Sequence, residues 1–234
     1  MARRDDILDE LGLAPVWKLR ARGDRAANAP PPGRDARIAA LEWRDFAADV
    51  DACTACGLCR ARKKSVPGVG DPNAQWLFVG EGPGAEEDAK GEPFVGQAGK
   101  LLDNMLAALG LARGANVYIA NVVKCRPPGN RTPEPSEVAA CRPYLDRQVA
   151  LIRPRLIVAL GKSAATTLLD VDATIGSLRG RVHDYGGVPL IVTYHPAYLL
   201  RNLPDKAKAW EDLLLARRTV AAGDGKALLP PGGA

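Results

Sequence analysis

Four cysteines stand in two distant pairs, Cys53 with Cys56 and Cys125 with Cys141. Thiolates closely spaced at one end and loosely spaced at the other suit a tetrahedral iron or zinc site, because the chain must return to supply ligands three and four. A metal there would pin two remote segments together. Between the pairs lies Gly80-Glu81-Gly82-Pro83-Gly84, a glycine- and acid-rich loop directly after an apolar run. Asn121 lies near the end of a second apolar run, and His195, one of two histidines, follows a later one. A buried amide needs hydrogen-bonding partners, so Asn121 is suited to reading a polar edge such as that of a base. Phe94 is one of three phenylalanines and is flanked by Pro93 and Gly96. Held rigidly by those breakers, it is placed to stack on a planar ring.

These residues need a scaffold that brings them together. The chain alternates short β-rich apolar runs with longer helical patterns, the signature of βαβ units and a parallel sheet. Strands are expected at 75–80, 117–123, 155–161 and 188–194, and helices near 37–52, 98–109, 135–152, 163–169 and 205–220. Ligands of such sheets bind at the carboxyl ends of the strands, where Glu81, Asn121 and His195 all fall. Two phosphate-binding readings fail. Gly80 to Ala85 fits the dinucleotide pattern, but Glu86, Glu87 and Asp88 follow where a pyrophosphate would sit. Gly161-Lys162-Ser163 resembles the end of a P-loop, yet Leu156 occupies the position of its first glycine.

The 234 residues suffice for one packed domain plus an appendage. The organisation expected is an N-terminal arm and flexible linker at 1–37, a catalytic domain at 38–220 and an unstructured tail at 221–234. Pro30-Pro31-Pro32-Gly33 marks the linker, and apolar residues between Ile7 and Trp17 suit a short helix before it. Apolar runs fall far short of the ~18 residues that span a bilayer, and Asp5 and Asp6 interrupt the start where a signal peptide would be apolar. We expect a cytoplasmic protein without membrane association, in which the cysteines serve as ligands or free thiols. The balance of 32 Lys and Arg against 27 Asp and Glu permits a phosphate-backbone partner without demanding one.

Three stretches together resemble the family 4 uracil-DNA glycosylases, the iron–sulfur members of their superfamily. They are GEGPGAEEDAKGEPFVGQAGKLLD at 80–103, NVVKCRPPGNRTPEPSEVAAC at 121–141 and YHPAYLLR at 194–201. The likeness runs in order over roughly residues 49 to 218. It implies a three-layer αβα sandwich around a four-stranded parallel sheet, and a [4Fe–4S] cluster on Cys53, Cys56, Cys125 and Cys141, with zinc the runner-up metal and Cys59 left as a free thiol. It implies a monomer that acts on uracil-containing DNA, flips the base out and hydrolyses its N-glycosidic bond. His195 would stabilise negative charge on the departing uracil, Asn121 would pair with its edge and reject cytosine, and Phe94 would stack on its face. In related families an aspartate positions water two residues after the strand-end glycine. Gly82 stands there in this chain, so Glu81 and Glu87 become the candidates for that role. Leu199 and Leu200 suit the wedge that fills the space of a flipped nucleotide, and Arg201 a phosphate contact. Arg60, Arg62, Lys63, Lys64, Lys124, Arg126 and Arg131 add possible backbone contacts around the cysteines. The rival reading is a non-catalytic nucleic-acid binding protein stapled by zinc or iron–sulfur.

Overall fold

A computed structural model describes residues 10–12 and 33–223. The chain divides into Met1–Ala36 and Arg37–Ala234, and the second unit carries the sheet and its helices. The expected arm and tail lie largely outside the described residues.

Each long apolar run became a strand buried on both faces: β2 (Trp76–Gly80), β3 (Val117–Asn121), β4 (Leu156–Leu160) and β6 (Val188–Thr193). Two short strands join them, β1 (Val69–Gly70) and β5 (Val182–Tyr185). The sheet order is β1-β3-β2-β4-β6-β5. The inner four strands are parallel, and both edge strands pair antiparallel. The sheet therefore has six strands and is mixed, which corrects the expectation of four parallel ones. A two-residue strand carries no readable period, and β5 alternates exposed and half-buried residues, so neither edge looks like a core strand.

Successive side chains of a strand point to opposite faces, and here each face has its own cover. Leu77, Val79, Ile157 and Ala159 pack with Leu145 and Ile152 of α5 (Pro135–Ile152) and with Ala164, Ala165 and Leu168 of α6 (Lys162–Leu169). Trp76, Phe78, Leu156 and Val158 pack with Leu102 and Leu106 of α4 (Gln97–Ala108) and with Leu213, Ala216 and Val220 of α9 (Asp205–Gly223). Two helical layers thus enclose the sheet. Burial of each of the larger side chains among these contributes about 1.5–3 kcal/mol.

The helix expected at 37–52 is two, α1 (Arg34–Ala39) and α2 (Trp43–Ala52). Between them the Leu41 carbonyl leaves the helical ladder and accepts from Arg147 Nε of α5 at 2.7 Å. Ile38, Phe46 and Val50 then pack on Tyr144 of α5, and the Tyr144 hydroxyl donates to Asp49 Oδ1 at 2.6 Å. Short helices α3 (Ala85–Lys90), α7 (Ile175–Leu178) and α8 (Pro196–Leu199) lie in connections, and two of them shape the site.

Candidate active site

Parallel strands of equal register deliver their ends to one edge. Gly80 pairs with Asn121 in the ladder, so the loop after β2 and the end of β3 emerge side by side. His195 follows β6 and is the N-cap of α8. Around these ends opens a cleft of about 520 Å³ lined by Glu81, Gly82, Glu87, Phe94, Asn121 and His195, with Arg201 at its wall. The residues singled out for base recognition and chemistry are therefore brought together.

Asn121 is 2 % exposed, and its Oδ1 is buried with no hydrogen-bond partner. Such an orphan acceptor costs stability unless a ligand satisfies it. Glu81 Oε1 is in the same condition at the next strand end. Side chains are admitted here because Gly80 has none. A Cβ on it would fall 2.5 Å from Asn121 Oδ1 and 2.7 Å from Phe94 Cζ.

The ring of Phe94 lies 5.5 Å from the imidazole of His195, with 29° between their planes. Its backbone adopts φ 55°, a region that a phenylalanine seldom enters. Glu87 helps to hold it. The Glu87 carboxylate accepts from Val95 N at 3.0 Å and Gly96 N at 3.3 Å through Oε1, and from Gly84 N at 3.1 Å through Oε2. Both oxygens of Glu87 are thus occupied in fastening two loops, which leaves Glu81 as the carboxylate with an unpaired oxygen.

His195 Nδ1 accepts the amide of Ala197 at 3.1 Å. In the neutral ring the proton then resides on Nε2, the nitrogen left to donate. Burial, aided by the positive charge of Arg201 and opposed by Glu87, pulls the imidazole pKa down to about 4. At neutral pH the group is an uncharged donor.

Leu199 must be corrected. It is 1 % exposed and packs with Tyr194 and Ala209, so it belongs to the core and cannot enter a DNA stack. Its neighbour Leu200 is 43 % exposed. Three of the expected backbone contacts are likewise engaged elsewhere. Lys124 is 1 % exposed, and its ammonium donates to Asn121 O at 2.7 Å and to Gln148 Oε1. Arg131 forms a two-pronged pair with Glu137, at 2.8 and 2.7 Å. Arg62 donates to Cys125 Sγ at 2.9 Å and to the Asp51 carbonyl.

All five cysteines line one small cavity, with Val50, Lys124 and Tyr144. Cys53 caps the C-terminus of α2, and Cys141 lies on α5. Cys141 Sγ accepts from Lys124 N at 3.3 Å, which with Arg62 gives two sulfurs an N–H donor. Among the described residues no group of three or more Cys, His, Asp or Glu is placed to hold a metal ion. The sulfurs instead surround a shared space.

Known proteins share most of this sequence. The uracil DNA glycosylase superfamily matches residues 67–214, from before β1 into α9. A type-4 uracil-DNA glycosylase of Archaeoglobus fulgidus is 49 % identical over 164 residues, covering 67 % of this chain and 82 % of its own. One from Thermotoga maritima is 50 % identical over 155 residues, 65 % and 80 % of the two chains. One from Saccharolobus solfataricus is 42 % identical over 186 residues, 76 % and 86 %. On that extent of identity, the chain belongs to the uracil-DNA glycosylase superfamily, among its type-4 members.

Proposed function

We propose that this protein is a DNA repair enzyme that takes uracil out of the DNA stack and hydrolyses its N-glycosidic bond, leaving an abasic site. The observation that carries the reading is the cleft lined both by an orphan acceptor, Asn121 Oδ1, and by His195, whose Nδ1 is already taken by a backbone amide. Uracil presents an N3–H donor between two carbonyl acceptors, and it leaves as an anion. Asn121 Oδ1 suits the N3–H, where cytosine has only an acceptor. His195 Nε2–H suits a carbonyl oxygen on which negative charge grows as the bond breaks, a stabilisation realised in the transition state. Phe94 supplies the stacking face. Glu81, with its unpaired oxygen, orients water toward the anomeric carbon, and Glu87 acts by fixing the loops.

Leu200 is assigned the wedge and Arg201 a phosphate contact beside it. Cys53, Cys56, Cys125 and Cys141 would hold a [4Fe–4S] cluster, and their fit rests on the shared cavity and on N–H donors already directed at two of the sulfurs. A lone zinc ion would need all four sulfurs about 2.3 Å from one point. Held by these four thiols, the cluster would tie the segments bearing them together. No helix among the described residues is long and apolar enough to cross a membrane, and we assign the protein to the cytoplasm as a monomer.

The test is incubation of the purified protein with DNA carrying one uracil. Free uracil and an alkali-labile abasic site are expected. No lysine is among the residues lining the cleft, so borohydride should trap no covalent complex and the strand should remain unbroken. Binding without base release would favour the non-catalytic reading instead.

A further inference from the structure

Phe94 is held from a second side, by a residue outside the cleft. The guanidinium of Arg113, in the turn between α4 and β3, donates Nη1–H to the Pro93 carbonyl and Nη2–H to the Phe94 carbonyl, each at 2.9 Å. Asp103 of α4 fixes that guanidinium in turn, its Oδ1 accepting from Nε at 3.1 Å and from Nη2 at 2.9 Å. Glu87 holds the amides that follow Phe94, and Arg113 holds the carbonyls at and before it. The loop is therefore clamped at both ends around the residue with positive φ. Helix α4 closes the remaining direction, because a Cβ on Gly99 would fall 1.7 Å from the Phe94 carbonyl oxygen.

We propose that Arg113, oriented by Asp103, is a positioning residue for the flipped base: it sets the Phe94 ring at the height and angle at which that base stacks. The assignment rests on the reading of Phe94 as the stacking ring. An ordinary surface pair explains the arrangement less well. Arg113 and Asp103 side chains are 24 % and 49 % exposed, and pairs of that exposure contribute little to folding. The guanidinium's planar fork is instead spent on two consecutive carbonyls, a geometry that an ammonium cannot copy. Holding the ring before the base arrives removes an ordering cost from binding.

The experiment is a double-mutant cycle on single-uracil DNA under single-turnover conditions, using wild type, Arg113→Ala, Phe94→Ala and the double variant. Binding to uracil-free DNA and melting temperature are measured alongside. Arg113→Ala should slow excision roughly 5- to 100-fold, within the range of one lost base–aromatic stack. Its affinity for uracil-free DNA should stay at the wild-type value, and it should slow Phe94→Ala no further. Arg113→Lys should restore little. If Arg113→Ala does not fold, Asp103→Asn takes its place in the cycle with a smaller loss expected. Losses that multiply in the double variant, or an Arg113→Ala enzyme of full rate beside a slow Phe94→Ala, would overturn the positioning role alone. A full-rate Phe94→Ala would remove the stacking reading and this inference with it.

Discussion

With Nδ1 of His195 taken by the Ala197 amide and the residue half-buried at the floor of the cleft beside Arg201, protonation would place a charge that is poorly solvated. An ordinary histidine titrates near 6.5, whereas this one is drawn down to about 4. The rate of excision should accordingly show no acid limb from His195 between pH 7 and about 5, and nuclear magnetic resonance should find its ring neutral there. A midpoint near 6.5 would end the neutral-donor assignment. Stability carries the same signature with a definite sign. Between about pH 6.5 and 4 the unfolded chain binds a proton at this site that the folded one does not, so stability falls as pH falls through that window and is unaffected above it. His195→Ala removes the slope, and denaturant midpoints at pH 7 and pH 5 should shift less for it than for wild type. The same variant should lose about 10²–10³ in single-turnover rate, the usual cost of one transition-state donor, while DNA binding persists because the base carries little charge beforehand. Asn121→Asp is a complementary probe. Its carboxylate has no donor for the uracil O4, but accepts from the exocyclic amine of cytosine, so uracil excision should fall and cytosine become tolerated. Unchanged uracil excision would remove Asn121 from base recognition.

Secondary-structure elements decide which of two adjacent leucines is exposed and so free to act as the proposed wedge. The single turn of α8 directs Leu199 inward against Tyr194 and leaves Leu200 outside. Leu200→Ala should therefore slow excision from duplex DNA more than from single-stranded DNA, where no vacated stack needs filling. Leu199→Ala should cost about 2–5 kcal/mol of stability, measured by urea unfolding, and affect both substrates alike. That turn was not legible from YHPAYLLR, because four residues carry no helical period. The four inner strands were, because runs such as WLFVG and LIVAL are buried throughout and apolar throughout. One missed edge did leave a signal. Gly186-Gly187, at φ 58° and 86°, forms the two-residue turn joining β5 to β6, and paired glycines between β-branched and aromatic residues mark a hairpin. Convergence of Glu81, Asn121 and His195 could be read because a parallel sheet puts its strand ends together. The partners of Lys124, Glu87 and Arg113 could not, since a charged residue in sequence looks the same whether it faces water or fastens a loop.

At the scale of the whole molecule, α1 and α2 meet the rest of the protein through an apolar contact, with Ile38, Phe46, Val50 and Tyr144 as its buried members, and through the Arg147–Leu41 and Tyr144–Asp49 hydrogen bonds. The cysteine cavity lies at this junction, with Cys53 at the end of α2, Cys125 beyond β3 and Cys141 on α5. A cluster bound by all three segments would tie α2 to β3 and α5, and metal affinity would then be folding free energy for this region. Protein purified without oxygen should be brown and contain iron and acid-labile sulfide. Cys125→Ser should lose the colour, and α2 should become open to protease while the sheet, which has its own two cores, stays protected. Cys59→Ser should keep both colour and protection if, as proposed, the other four thiols make up the ligand set. Stoichiometric zinc without sulfide would overturn the cluster assignment, and a Cys125→Ser protein as protease-resistant at α2 as wild type would show that apolar packing alone suffices there.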